Sequence, residues 1–358
     1  MQPYIILWWG LLVSYLFYFL KNRKLSGLLF SVMALWVILL PAIRDISIGT
    51  DTVNYVDYFQ NPNSGYHGNV DIGYNLFIKT LHGLTNSSFI YLFISAAISV
   101  GSIIYFIKKE SVIPIVSLFL FTVMGRFYQL QFAGMRQSLA IALFLGSIYS
   151  LYSLKEIKKA GLLYLLSCSI HATAIIMLPI YFLISKIKFT RKTLYIILIV
   201  SYIIGFSGML DYRSLFEIIL SKIGDGSLER YSHYASFMKD HSLTIHRLIM
   251  DLTPYSLLMF LLIKRSSDVN DLYFKFAFVG VVLSNILVSF PITFRLLMYP
   301  LIFLIIVIPN TFYRKVKFDI AILSVTILYF SYKFYAELLT QLDPSFIGNK
   351  IVPYLTCF

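Results

Sequence analysis

Apolar runs of about 18 residues, the length that crosses the ~30 Å hydrocarbon core of a bilayer as a helix, recur along this chain and are parted by polar gaps. They predict spans near 3–20, 25–42, 88–107, 111–126, 136–154, 193–211, 247–263, 272–290, 294–310 and 317–335. No stretch alternates apolar and polar residues at period two, so a β-barrel is not expected. The fold class is all-α, a polytopic membrane protein.

One stretch breaks the pattern. Residues 160–185 lie between two basic clusters, 155–159 and 186–192, and a single crossing would put those clusters on opposite sides. Two short helices that meet near Cys168–Thr173 and return remove the conflict. Each arm spans ~16–22 Å at 1.5 Å per residue, short for a crossing but suited to a re-entrant pair. This makes 10–12 membrane helices in all and places the polar tip Ser167-Cys168-Ser169-Ile170-His171 deep in the membrane.

Charge orients the spans. Lysine-rich clusters stand at 21–24, 108–109, 155–159, 186–192, 264–265 and 314–317, and with the neighbouring Glu110, Asp268, Asp271 and Asp319 their gaps hold 17 Lys/Arg against 5 acids. The opposite segments hold 12 of each, and Lys275 accounts for the remaining charge. The net charge of +13 is therefore a positive-inside signature and gives nucleic-acid binding no support. Hydrophobic residues reach 58% and charged residues 13%, so the whole of 1–358 is expected to be one integral membrane domain. Cys168 and Cys357 do not suggest a disulfide framework, and residues 3–20 read as a retained helix rather than a cleaved signal.

Three segments on the far side are long enough to hold structure: 43–87, 212–246 and the tail 336–358. In the first, Tyr74, Phe77, Ile78 and Leu81 share a helical face behind Asp71, a candidate N-cap, so an amphipathic interfacial helix is expected. The second interleaves Tyr231, His233, Tyr234, Phe237 and His241 with charge.

Candidate chemistry falls in three clusters. After the second span, Arg44 is followed by Gly49, Thr50, Asp51, Asn54 and Tyr55, polar groups suited either to a hydroxyl-rich ligand or to a capped loop with a local Arg44–Asp51 pair. Between the fourth and fifth spans lie Arg126, Gln129, Gln131, Arg136 and Gln137. Guanidinium forks there match phosphate oxygens, and Gln137 cannot snorkel as an arginine can. His171, at the helix break, could accept a proton or contact a phosphate. Arg295 is a further arginine of the same kind. No Cys or His pair has metal-ligand spacing, no P-loop occurs, and no carboxylate pair suggests a dyad.

These pieces, in order, resemble the EpsG/Wzy-like family of bacterial polysaccharide polymerases. The resemblance rests on Ala42-Ile43-Arg44 with Gly49-Thr50-Asp51 and Tyr55; Asp71-Ile72-Gly73-Tyr74; Met135-Arg136-Gln137-Ser138; and Ile170-His171-Ala172-Thr173 followed by Leu178-Pro179. It covers roughly residues 40–185; the second half fits by hydropathy and Arg295. It implies a cofactor-free, GT-C-like glycosyltransferase at the outer face of the bacterial inner membrane. Such an enzyme joins undecaprenyl-pyrophosphate-linked oligosaccharides, as donor and acceptor, beside a possible chain-length regulator. Arg136, Arg126 and Arg295, with Gln137 beside them, would hold the pyrophosphate. Arg44, Asp51 and Tyr55 would shape the acceptor mouth, and His171 or an acid on the same side would take the proton. A flippase for lipid-linked oligosaccharides and an O-antigen ligase-type transferase are the competing classes. The flippase should line a path through both leaflets with charge, and the inner parts of these spans hold almost none.

Overall fold

The computed structural model describes residues 1–19, 23–63, 71–207, 245–288, 293–314, 316–343, 346 and 350–357. The segment 212–244, with its expected Tyr/His cluster, lies outside the described residues. The described chain is all-α, with one isolated antiparallel bridge, Arg44 to Thr356. It divides into two compact units, residues 1–175 with 308–358, and residues 176–307.

The first unit begins with α1 (Gln2–Phe19) and α2 (Arg23–Ala42), followed by the short α3 (Thr52–Gln60) and α4 (Ile72–Leu84) and the long α5 (Ser88–Glu110). Then come α6 (Pro114–Val123), one turn of α7 (Leu130–Ala133), α8 (Met135–Tyr152) and α9 (Ile157–Ile170). In the second unit stand α10 (Met177–Lys186), α11 (Arg191–Ser207), α12 (Ile245–Arg265), α13 (Leu272–Ile286) and α14 (Thr293–Leu301). α15 (Leu304–Thr311) runs across the unit boundary, and α16 (Lys317–Thr340) returns to the first unit. Among the described residues, Gln2–Phe19, Lys24–Ala42, Ser88–Glu110 and Lys317–Thr340 are long and apolar enough to cross a membrane; several other apolar helices are shorter.

One expected span comes out shortened and another divided. The span expected over 111–126 is the ten-residue α6, which starts on Pro114 and is buried from Ile115 to Val123. A helix apolar on every side belongs in a core, and α6 packs on α1, α2, α5 and α16. The span expected over 294–310 breaks into α14 and α15, each with a proline inside, Pro300 and Pro309. A proline removes one backbone donor and clashes with the preceding turn. The pair of short helices expected over 160–185 is present as α9 and α10, broken at His171 and a 3₁₀ turn, Ala172–Ile176.

In the second unit the basic residues close helix ends. Lys275 donates from Nζ to the Ile184 and Ile187 carbonyls at 3.0 and 2.6 Å, capping α10. Arg191 donates to the carbonyls of Ile263, Lys264 and Ser266 at the end of α12. Cations are favoured there because the last carbonyls of a helix lack partners. Deeper, Asn285 is fully buried: its amide nitrogen donates to Ser201 Oγ at 3.1 Å, and its oxygen accepts from Ser256 Oγ at 3.0 Å, tying α11, α12 and α13 together.

Candidate active site

The candidate site in the first unit grows from the α8–α9 hairpin. Ser167 Oγ donates to the Ala140 carbonyl at 2.7 Å, and Ser147 Oγ to the Ala160 carbonyl at 2.8 Å. From Ser147 to Ala140 is seven residues back along α8, and from Ala160 to Ser167 is seven forward along α9. The helices therefore run antiparallel in one register. Four residues further along each stripe stand Arg136 and His171, which fall level at the same end of the pair. Residues four apart share a helical face.

Arg136 opens α8, where the helix dipole favours an anion. Its Nη1 donates to Asp71 Oδ2 at 3.4 Å, and both side chains remain about a quarter exposed. Its Nε is buried with no hydrogen-bond partner. Below lie the Tyr55 and Tyr74 rings, with centroids 6.0 and 5.9 Å from the guanidinium carbon. Tyr74 shares a 2.6 Å hydroxyl contact with Tyr91, whose ring stacks on Phe59 at 4.6 Å. Burial, and then the Tyr91 phenol, pushes the Tyr74 pKa well above its ordinary value.

Asp71 holds the N-cap position of α4 as the sequence predicts, yet its side chain makes no cap hydrogen bond and turns to Arg136. The same turn of α4 lies on α9. A Cβ added to Gly73 would collide with Ser169 Oγ and sit 2.8 Å from the Ser169 carbonyl carbon. One short motif, Asp71-Ile72-Gly73-Tyr74, thus touches Arg136 through its first and last residues and the segment before His171 through its glycine. Tyr74, Ile78 and Leu81 are buried as expected, while Ile72 and Leu76 are exposed.

His171 is half-buried at the C-cap of α9. Its Nδ1 faces the Thr173 hydroxyl at 2.6 Å and accepts from the Thr173 backbone N–H at 3.4 Å. Tyr164 donates to the Ala174 and Ile175 carbonyls at 3.1 and 2.9 Å, holding the turn against α9.

Several residues expected to meet substrate lie elsewhere or face inward. Arg44 is 1% exposed. It donates to the carbonyls of Pro41 and, at 3.2 Å, Phe132, and contacts Met135 Sδ at 3.0 Å and Thr52 Oγ1 at 3.4 Å. Burial lowers its pKa to about 10, so it stays a cation at neutral pH. Arg44 is thus enclosed, with these contacts all made to the protein's own groups. Gly49 beside it has φ +88°, and any side chain there would strike the Phe132 carbonyl and Thr52. Tyr55 and Gln137 are buried, so the first supports Arg136 from below and the second faces the bundle. Asp51 precedes α3, and its side chain makes no cap bond. Arg126 pairs through Nε with Glu337 at 3.1 Å, and Gln129 donates to the same carboxylate at 3.0 Å. Arg295 is exposed near the start of α14 in the second unit.

The tail folds back under the first segment. Asp45 N–H donates to Leu355, Cys357 N–H to Ile43 and Gly49 N–H to Lys350, at 2.9, 3.1 and 2.7 Å. Tyr4 and Tyr354 phenols donate to the Ile351 and Leu40 carbonyls at 3.1 and 2.7 Å. Among the described residues no group of three His, Cys, Asp or Glu could hold a metal ion.

A multi-pass helical membrane protein with a partly exposed guanidinium–carboxylate pair at a helix start is the class that fold and site define. Residues 27–356 match the model of the EpsG family, and the chain belongs to that family. Membership brings a general polymerase-like role in polysaccharide biosynthesis, on lipid-linked substrates in a membrane. No curated protein and no solved structure matches the chain.

Proposed function

We propose that the chain is a repeat-unit polysaccharide polymerase, a GT-C-type glycosyltransferase of the bacterial inner membrane with its site toward the outside. Its donor and acceptor are undecaprenyl-pyrophosphate-linked oligosaccharides, and a chain-length regulator would work beside it. The observation that carries this reading is Arg136: a cation at a helix start, about a quarter exposed and weakly paired at 3.4 Å, over the Tyr55 and Tyr74 rings. Leaving-group charge is best stabilised by donors fixed in advance, and the aromatic bed under Arg136 fixes this one.

In the reaction, an acceptor hydroxyl oxygen bonds to the anomeric carbon of the donor. The bond from that carbon to the pyrophosphate oxygen breaks, and its electron pair leaves with the pyrophosphate. Arg136 takes up the developing charge, aided by the α8 dipole. As the pyrophosphate occupies the guanidinium, Asp71 is displaced and is the nearest carboxylate to receive the hydroxyl proton. Arg126, already paired with Glu337, and Arg295 of the second unit are further candidate cations for the lipid-linked head. Asp51 remains a candidate for the acceptor sugar, while Arg44, Tyr55 and Gln137 support the site from within.

The test is a gel of surface glycan from a deletion strain complemented with wild type or Arg136→Ala, with protein amounts matched. The expected result is a wild-type ladder that collapses to a single anchored repeat unit in the variant. Loss of even that unit would indicate a flippase or ligase. A ladder unchanged in the deletion strain would remove the polymer reading.

A further inference from the structure

Resting on that reading, we propose that His171 acts as a hydrogen-bond donor to the substrate's phosphate oxygens through Nε2–H, and that Thr173 is the positioning residue that makes it one. A backbone N–H can only donate. The Thr173 N–H directed at Nδ1 therefore requires Nδ1 to be the acceptor, and the Thr173 hydroxyl at 2.6 Å supplies a second donor to the same atom. A neutral imidazole carries one proton, so with Nδ1 accepting, the proton sits on Nε2. Nε2 then has no lone pair to take a proton from an attacking hydroxyl. In this tautomer Nε2 carries the N–H.

Placement agrees with this role. The α8–α9 register puts His171 level with Arg136 at the same end of the helix pair. Tyr164 pins the 3₁₀ turn that carries Thr173, so the Nδ1 contacts are built into the backbone of the helix break rather than left to a loose side chain. The step assigned to His171 moves no proton: it orients the pyrophosphate and shares the charge that builds on it.

Glutamine discriminates the roles, because its amide nitrogen reaches the position of Nε2 as a donor and has no basic lone pair. The expected result is that His171→Gln keeps about a tenth or more of wild-type polymerisation while His171→Ala falls about 100-fold. Thr173→Val should lower activity about tenfold, with Thr173→Ser restoring most of it. Wild type and His171→Gln should share the same acid limb in a pH profile. The proposal is overturned if His171→Gln is as inactive as His171→Ala and wild type loses activity through a histidine pKa near 6.5 that the variants lack. A second readout separates this from failure of the polymerase reading: binding of undecaprenyl pyrophosphate to purified protein in nanodiscs. Binding weakened by His171→Ala and retained by His171→Gln supports the donor role whatever the glycan gel shows. Binding indifferent to both variants overturns it.

Discussion

Arg44 and Arg136 occupy similar places in the sequence, each a guanidinium where an apolar helix meets a polar segment, and the fold treats them oppositely. Arg44 is enclosed, and its nitrogens meet backbone carbonyls, a threonine hydroxyl and a methionine sulfur. Arg136 is about a quarter exposed and meets one carboxylate at the edge of bonding distance, while the Nε of both arginines is buried with no hydrogen-bond partner. The difference teaches what separates an enclosed arginine from a candidate site: not charge, but exposure and how closely neighbouring groups already hold the ends of the guanidinium.

The largest effect should come from Arg136→Ala, with polymerisation down ~10²–10³-fold at unchanged protein amount, the cost of deleting a preorganised donor. A milder loss than that of Arg44→Met, per folded molecule, would erase the contrast. Arg44→Met should act on stability instead. It strips the Arg44 donor from the Pro41 carbonyl, at ~1–3 kcal/mol for an orphaned buried group, while the Phe132 carbonyl keeps the Thr52 hydroxyl at 3.0 Å; the loss is read as a lower melting temperature in detergent with near-normal turnover.

Gly73→Ala sharpens the comparison from the Asp71 side. Forcing a methyl against Ser169 should cost ~1–3 kcal/mol and lower polymerisation by displacing the Asp71 turn. Tyr74→Phe should cost ~1 kcal/mol by leaving the Tyr91 hydroxyl alone, with a small fall in turnover as the bed under Arg136 loosens. Smallest is a pH effect near Arg44. Hydrogen bonds from the Ser47 side chain and backbone hold the Asp45 carboxyl below its ordinary pKa. A depressed carboxylate stabilises the fold above the ordinary value, and that contribution fades as pH falls through the depressed one. Ser47→Ala should therefore lower stability slightly at neutral pH and leave it almost unchanged in strong acid, which flattens the acid limb of the melting curve.

Much of the architecture was legible in the sequence because hydropathy is local. Runs at 3–20, 25–42, 88–107 and 317–335 became α1, α2, α5 and α16, and the break at His171 followed from the basic clusters beside it. The helix α3 was missed: its buried Tyr55, Val56 and Phe59 are scattered among Asn54, Asp57 and Tyr58, too short a run for periodicity to register. What distinguishes Arg44 from Arg136 was hidden because it depends on residues remote in sequence, Phe132 and Met135 for the first and Asp71 for the second. Glu337 stayed invisible for the same reason, since its partner Gln129 is 208 residues away. Asp71 and Thr173 stood in the quoted motifs, but a cap residue and a bystander were all that spacing could make of them.

The strap formed by residues 350–357 sets a clock on assembly. Its bonds to α1 and α2 join positions 347 and 314 residues apart. At ~5–20 residues per second of synthesis, the segment around Arg44 waits on the order of tens of seconds in the bilayer before its closing partner exists. During that interval the Leu40 and Ile43 carbonyls and the Gly49 amide have no strap to bind. A nascent chain at this stage is therefore open to membrane-protein quality control, and a tag fused too close behind residue 357 could hold it there.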